Sequence, residues 1–200
     1  MRRPLEWYGD IGRSSQLGGL MSEARRSRRA RRRRSPPRPD APDEVRRRYR
    51  AEMLIERMLS GPLPELVDCS SYLNRLATRR QVASRAIGIM MTSVESVTLN
   101  AVSARALAVA IADLLHFLET AASGLPVRVY LAIALDHHRL VVGLGAEGEL
   151  RHVVTREAHR CLLRARSIVA ALGGDFQRGV DGDRAVFGLT FPHSIAEWSS

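Results

Sequence analysis

Between Arg25 and Arg34, eight of ten positions are arginine. Charge at that density repels itself, and the next segment, Ser35-Pro36-Pro37-Arg38-Pro39-Asp40-Ala41-Pro42, offers almost nothing apolar to bury. The entropy of ordering such a chain goes unrecovered, so residues 1–43 are predicted to form a disordered arm, with the globular part beginning near Asp43. The charge is segregated as well as dense. Residues 1–50 hold 16 Arg and 6 acidic residues, residues 51–200 hold 15 of each, and the whole net charge of +10 therefore lies in the first quarter of the chain. This excludes a uniformly basic protein of the histone or ribosomal kind and describes a neutral body with a basic arm. All 31 basic residues are Arg, a bias that points to a GC-rich genome before it points to function.

The arm has three readings. Arg25, Arg26, Arg28, Arg29, Arg31, Arg32, Arg33 and Arg34 could grip nucleic acid through phosphates, with steep salt dependence and no base stacking, since no aromatic residue is interleaved. Attachment to an anionic membrane surface would lack apolar anchors and a lipidation motif. The third reading is a solubilising tail, within which Met21 offers an alternative start.

Cys69 and Cys161 are too few for a disulfide framework and have no zinc-site spacing, so both are expected to be buried thiols in a reducing compartment. The most apolar stretch, Ala106 to Leu118, is short and carries Asp113, so no membrane span is predicted. The first residues lack the apolar run of a secretory signal, and a cytoplasmic location is expected.

Hydrophobic residues make up 45% of the chain, enough for a core. A helical pattern runs from a cap at Asp43 to Leu59 and stops at Gly61-Pro62; a second helix follows Asp68. Ile87 to Met91 reads as a strand and Val97 to Asn100 as a brief extended piece. Ser103 is expected to cap the strongest helix, which runs to about Ala122. Val127–Leu135 and Leu140–Leu144 form a hairpin about Asp136-His137-His138. Arg156 to Leu172 is helical, and Phe176–Val180 and Ala185–Phe191 form a second hairpin about Asp181-Gly182-Asp183. This order predicts an α+β two-layer sandwich, with helices on one face of a mixed, mostly antiparallel sheet.

Val67-Asp68-Cys69-Ser70-Ser71-Tyr72-Leu73-Asn74-Arg75-Leu76, the helix Ser103 to Ala122, Leu172-Gly173-Gly174, Gly182, and Val186-Phe187-Gly188-Leu189-Thr190-Phe191-Pro192 carry a resemblance in order and spacing. Over residues 44–193 the chain resembles the C-terminal half of sensor histidine kinases of the HWE type and their relatives. The resemblance implies a residual dimerisation-type helix and linker at 44–66, an ATPase domain of the gyrase/Hsp90/histidine-kinase type at 67–193, and a tail at 194–200.

The chemical motifs of that family are mostly replaced. Ala112-Asp113-Leu114-Leu115-His116-Phe117 lies where the N-box, N-E-x-x-x-N, is expected, and only Asp113 stays close to its counterpart. Phe117 stands at the Mg²⁺-binding Asn and cannot coordinate a hard cation. Gly145-Ala146-Glu147-Gly148-Glu149 replaces the adenine-reading D-x-G-x-G, leaving Glu147 as a mimic of its Asp. His159-Arg160-Cys161 replaces the phosphate-approaching G-x-G. The phosphoacceptor His of the first dimerisation helix is also missing.

Asp113 and Glu147 are thus the candidate remnants of a nucleotide site, with ATP as the ligand they would hold. His116 reads as a displaced phosphoacceptor or as a helix histidine without a role. His137-His138 reads as a solvated turn before a metal site. Arg156, Arg160, Arg164 and Arg166 read as a solvated face or as a basic patch over the vacated site. The function expected is non-catalytic: bacterial signalling through protein contact with a signalling partner. The alternatives are a divergent kinase that keeps ATP binding and a nucleic-acid-associated regulator using the arm. Self-association into a homodimer is expected through residues 44–59, whose Tyr49, Met53, Leu54, Ile55, Met58 and Leu59 exceed what one neighbouring helix would cover.

Overall fold

The structure is a computed structural model and describes residues 18–23, 26, 36–84, 86–122, 125–136, 139–150, 155–181, 184–192 and 196–197. Helix α1 (Asp43–Ser60) leads through strand β1 (Leu66–Asp68) into α2 (Cys69–Ala83). Strands β2 (Ile87–Val94) and β3 (Thr98–Asn100) precede the long helix α3 (Ala101–Ala121). The hairpin β4 (Val127–Asp136) and β5 (Arg139–Glu147) leads to α4 (Arg156–Ala171), and β6 (Asp175–Asp181), β7 (Arg184–Pro192) and β8 (Ala196–Glu197) complete the order. The main sheet has the order β2-β4-β5-β7-β6, parallel only at β2–β4 and antiparallel elsewhere. The α+β two-layer arrangement expected from the sequence is the one observed. A second sheet, β1-β3-β8, is too short in every strand to show a period and was not anticipated.

Local chemistry sets the helix ends. Asp68 caps α2, its side chain accepting from the N–H groups of Ser70 and Ser71. Asn100, not Ser103, caps α3: its side chain accepts from the Ser103 N–H at 2.8 Å, and the cap lies three residues earlier than expected. Asp43 is not a cap either, since Pro42 holds that position and Asp43 lies in the first turn. Helix α4 ends in a Schellman motif. Gly173 has φ 75°, its N–H donates to Ala170 O, and Gly174 N–H donates to Val169 O, both at 2.9 Å.

The core lies between the helices and one face of the sheet. Strand alternation sends Leu140, Val142, Leu144 and Ala146 of β5 inward, with Val129, Leu131 and Ile133 of β4 and Phe187, Leu189 and Phe191 of β7. Helix α3 is apolar on nearly every side because it packs against α2 and α4 as well as the sheet; Ala104, Ala106, Ala108 and Ala110 are all buried. It is long and apolar enough to cross a bilayer by length and composition, but most of its apolar window is buried inside the fold.

Two expectations need correction. The arm is not wholly free of the body: residues 18–23 are helical, and Leu20 and Met21 pack half-buried against the core. A short apolar pair suffices there, and it precedes both the arginine run and the proline-rich segment on which the expectation rested. The arginines 25, 28, 29 and 31–34 lie outside the described residues, and so do His137 and His138. Second, α1 does not offer its whole apolar face to another chain. Ala51, Ile55 and Leu59 are buried, α1 lies along α2, Tyr72 Oη donates to the Met58 carbonyl at 2.9 Å, and Arg105 donates to the Gly61 carbonyl. Val45 and Leu54 remain exposed.

Candidate functional site

Asp113 sits in the middle of α3, on the side that meets α4, and is 4% exposed. A lone carboxylate cannot stay ionised there without a partner. Arg164, one of the few polar residues buried in α4, supplies it: Nε reaches Oδ2 at 2.6 Å and Nη2 reaches Oδ1 at 2.5 Å, a bidentate fork. Burial alone would lower the Arg164 pKa, but the hydrogen bonds and charge of Asp113 outweigh it and hold the group above its ordinary value. The Cys161 sulfur lies 3.9 Å from Arg164 Nη2.

Four residues further along α3, Phe117 is 3% exposed. Its ring meets Phe187 edge-on, with centroids 6.0 Å apart at 79°, and Phe176 stands 6.2 Å from Phe187. The Arg178 guanidinium lies 5.6 Å over the Phe117 ring. The residue at the expected metal position is therefore part of an aromatic cluster between α3 and the β6–β7 end of the sheet. Thr155 caps α4 by accepting from the Ala158 N–H at 3.2 Å; within the segment 159–161, Cys161 is buried while His159 and Arg160 are exposed.

Glu147 stands elsewhere. Ala146 points into the core, so the next residue of β5 faces the helix-free side of the sheet. Its carboxylate accepts from Tyr130 Oη at 2.7 Å and faces Arg184 at 3.5 Å. The Tyr130 hydrogen bond, then the Arg184 charge, hold its pKa below the ordinary value. The structure thus does not bring Asp113 and Glu147 together. It removes Arg164 from the anticipated surface patch as well, leaving Arg156, Arg160 and Arg166 exposed on α4.

His116 belongs to a polar cluster that joins α1, α2, α3 and α4. Arg80 of α2 donates to its Nδ1 at 3.1 Å and also pairs with Glu119. Because a guanidinium only donates, the neutral ring carries its proton on Nε2, which faces Glu157 Oε1 at 3.9 Å. Arg48 of α1 reaches Glu119 at 3.5 Å. Burial would raise the Glu119 pKa, but the neighbouring His116, the Arg80 charge and a Ser84 hydrogen bond bring it down to about 2. Sequence reasoning singled out His116 but missed Arg80 and Glu119; the i,i+3 spacing of His116 and Glu119 on one helix was the signal available. Both cysteines are buried thiols outside any disulfide, and burial, then the Asp68 charge, push the Cys69 thiol up to about 12. No group of His, Cys, Asp and Glu side chains suited to a metal ion occurs among the described residues.

No family model matches the chain, and no curated protein matches it in sequence. Solved structures do match in shape. The histidine kinase domain of the Erythrobacter litoralis EL346 blue-light activated histidine kinase aligns with a TM-score of 0.57 at 16% identity, covering 92% of this chain and 95% of that one. In the longer structure of that kinase the chain spans 61% of the length. A bacterial phosphotransferase aligns with a TM-score of 0.55 at 10% identity, over 94% and 100% of the two chains. The nucleotide-free catalytic domain of histidine kinase ThkA aligns at 0.53 and 12%, over 64% and 94%. At these identities the likeness establishes the fold, a histidine-kinase ATPase-like domain.

Proposed function

We propose that this chain is a non-catalytic signalling protein, a pseudokinase of bacterial two-component type, that acts in the cytoplasm by protein contact from a degenerate histidine-kinase ATPase fold. The Asp113–Arg164 fork is the observation that carries this reading. An acidic side chain that serves a nucleotide must face the ligand and its water; here both carboxylate oxygens are turned to a guanidinium on the neighbouring helix. Phe117, packed on Phe187, has no oxygen to offer a magnesium ion. The residues present do not fit a metal-bound triphosphate, and phosphoryl transfer depends on positioning and charge compensation at that group. Glu147, held by Tyr130 on the other face of the sheet, cannot complete an adenine site with Asp113. The four-helix cluster that encloses His116 further argues for a structural role, since both ring nitrogens have charged neighbours.

Calorimetric titration of the full chain with ATP and magnesium tests it, alongside radiolabelled ATP. The expected result is no heat of binding and no label on the protein. Saturable ATP binding that is lost in Asp113→Asn, or label retained on His116, would replace this reading with that of a divergent kinase.

A further inference from the structure

The two edges of the main sheet differ in kind. Strand β6 carries Asp175 and Arg178, and charge of that sort blunts an edge. Strand β2 reads Ile87-Gly88-Ile89-Met90-Met91-Thr92-Ser93-Val94, without a charge or a proline over eight residues. Its pairing with β4 fixes which groups face outward. Val127 N–H donates to Ala86 O at 2.7 Å, and in a parallel ladder alternate residues address alternate neighbours. Ala86, Gly88 and Met90 therefore bond β4, while Ile87, Ile89 and Met91 turn both N–H and C=O away from the sheet. None of these outward groups has a backbone partner among the described residues. The regular part of the strand ends at Met91, where a register shift begins.

We propose that two copies of this chain pair β2 with β2 antiparallel about a two-fold axis at Ile89, joining two five-stranded sheets into one of ten strands. The register is self-complementary in three ways. First, Ile89 meets its own copy and Ile87 meets Met91, so every outward residue of the regular segment exchanges both backbone bonds. Second, Met90 of each copy lies opposite Gly88 of the other on the helix-free face. Met90 is 54% exposed, and a Cβ built on Gly88 would meet nothing within 4 Å, so a projecting side chain faces an open space. Third, the two ends of the strand differ in the charges beside them. Its start borders a groove of about 810 Å³ lined by Arg47, Arg48 and Arg128 together with Asp43 and Glu44, so arginine is in slight excess there, and its end leads into exposed Glu95, whose carboxylate accepts from the Leu135 N–H. Antiparallel pairing carries the Glu95 end of one copy toward the groove of the other, where Arg128 and its neighbours outnumber the acidic residues. A parallel pairing would set like ends together and lose this.

The test is light scattering of the full chain from micromolar to submillimolar concentration, with three variants. Ile89→Pro removes an outward N–H without breaking a bond to β4. Met90→Lys places two ammonium groups over the partner's glycines and leaves the exposed site otherwise unstrained. Leu54→Glu charges the exposed part of α1, the competing dimer surface. The expected result is twice the chain mass for the wild type and Leu54→Glu, and the monomer mass for Met90→Lys and Ile89→Pro, with the far-UV spectrum of Met90→Lys unchanged. A wild type that stays monomeric throughout, a dimer that survives Met90→Lys, or one lost in Leu54→Glu overturns the proposal.

Discussion

Replacing Arg164 with methionine keeps the length of the side chain and removes its charge, leaving Asp113 buried without a partner. The side chains of the pair are 9% and 5% exposed and meet through two N–O contacts, so salt and water screen them little. Breaking a buried pair on one side costs about 3–5 kcal/mol, most of it the penalty of the stranded charge. In a chain of this size each kcal/mol moves the melting temperature by roughly 2–4 °C, so Arg164→Met is expected to melt about 6–20 °C below the wild type. Asp113→Leu should do the same from the other side. The double variant Asp113→Leu/Arg164→Met removes both charges and both desolvation costs, and it is expected to return to within about 1 kcal/mol of the wild type or to exceed it. Urea unfolding of the four proteins closes the cycle and isolates the coupling between the two residues. Single variants that cost under about 1 kcal/mol would refute the argument, because the pair would then behave as a solvated surface bridge. So would a double variant as damaged as the sum of the singles, because the two residues would then act independently.

Acid should release Glu119: its pKa is about 2 in the fold against an ordinary 4.5, so its stabilisation is whole above about pH 4.5 and is lost as pH falls toward about 2. The gap corresponds to a contribution on the order of 3 kcal/mol, and urea unfolding across that range should decline less steeply in Glu119→Gln than in the wild type. Gly174→Ala is expected to cost about 1–3 kcal/mol, since its Cβ would stand 2.5 Å from the Thr190 carbonyl oxygen and 2.8 Å from Phe191. Gly179→Ala, with nothing within 4 Å, should leave the melting temperature nearly unmoved, and equal effects at the two glycines would refute the packing account. Leu20→Ser/Met21→Ser should destabilise the chain by about 1–3 kcal/mol through lost apolar burial, and an unchanged urea midpoint would show that residues 18–23 do not rest on the core.

What could be read from the sequence was what acts over a few residues. The Asp68 cap needs only its own side chain and two N–H groups within three positions, and the β4–β5 alternation needs only parity. The helix boundary at Asn100 was misplaced because two cap-forming residues, Asn100 and Ser103, stand in range and the choice depends on where β3 pairs with β1. Strand β1 is three residues long and carries no period at all. At the candidate site, Asp113 was legible because a carboxylate on an apolar helix demands an explanation. Its partner was not, since Arg164 lies 51 residues away and looks, on sequence, like its exposed neighbours Arg160 and Arg166. Glu147 was read from its identity as a ligand contact, and it is the parity of β5 that decides which face it serves.

The replacements at the site are coupled by a single packing problem. A fold that binds a nucleotide between its helices and sheet gains stability from the ligand by mass action. On the non-catalytic reading proposed above, the space and charges such a ligand would manage are managed by side chains. Phe117 with Phe187 and Phe176 supplies apolar volume at one end of the helix pair, and Arg164 neutralises the carboxylate left in the middle of it. Arg80 and Glu119 then fix α2 against α3, while Arg48 extends the same network to α1. Each substitution would be costly without the others: Phe117 in a solvated cleft would expose an aromatic ring, and Asp113 without Arg164 would carry an unpaired buried charge. On that reading they are retained as a set, and an oxygen-bearing side chain at position 117 alone is not expected to confer ligand binding. Phe117→Asn is accordingly expected to lose the aromatic packing, strand a buried amide and lower stability by about 3 kcal/mol or more, with no gain of ATP binding.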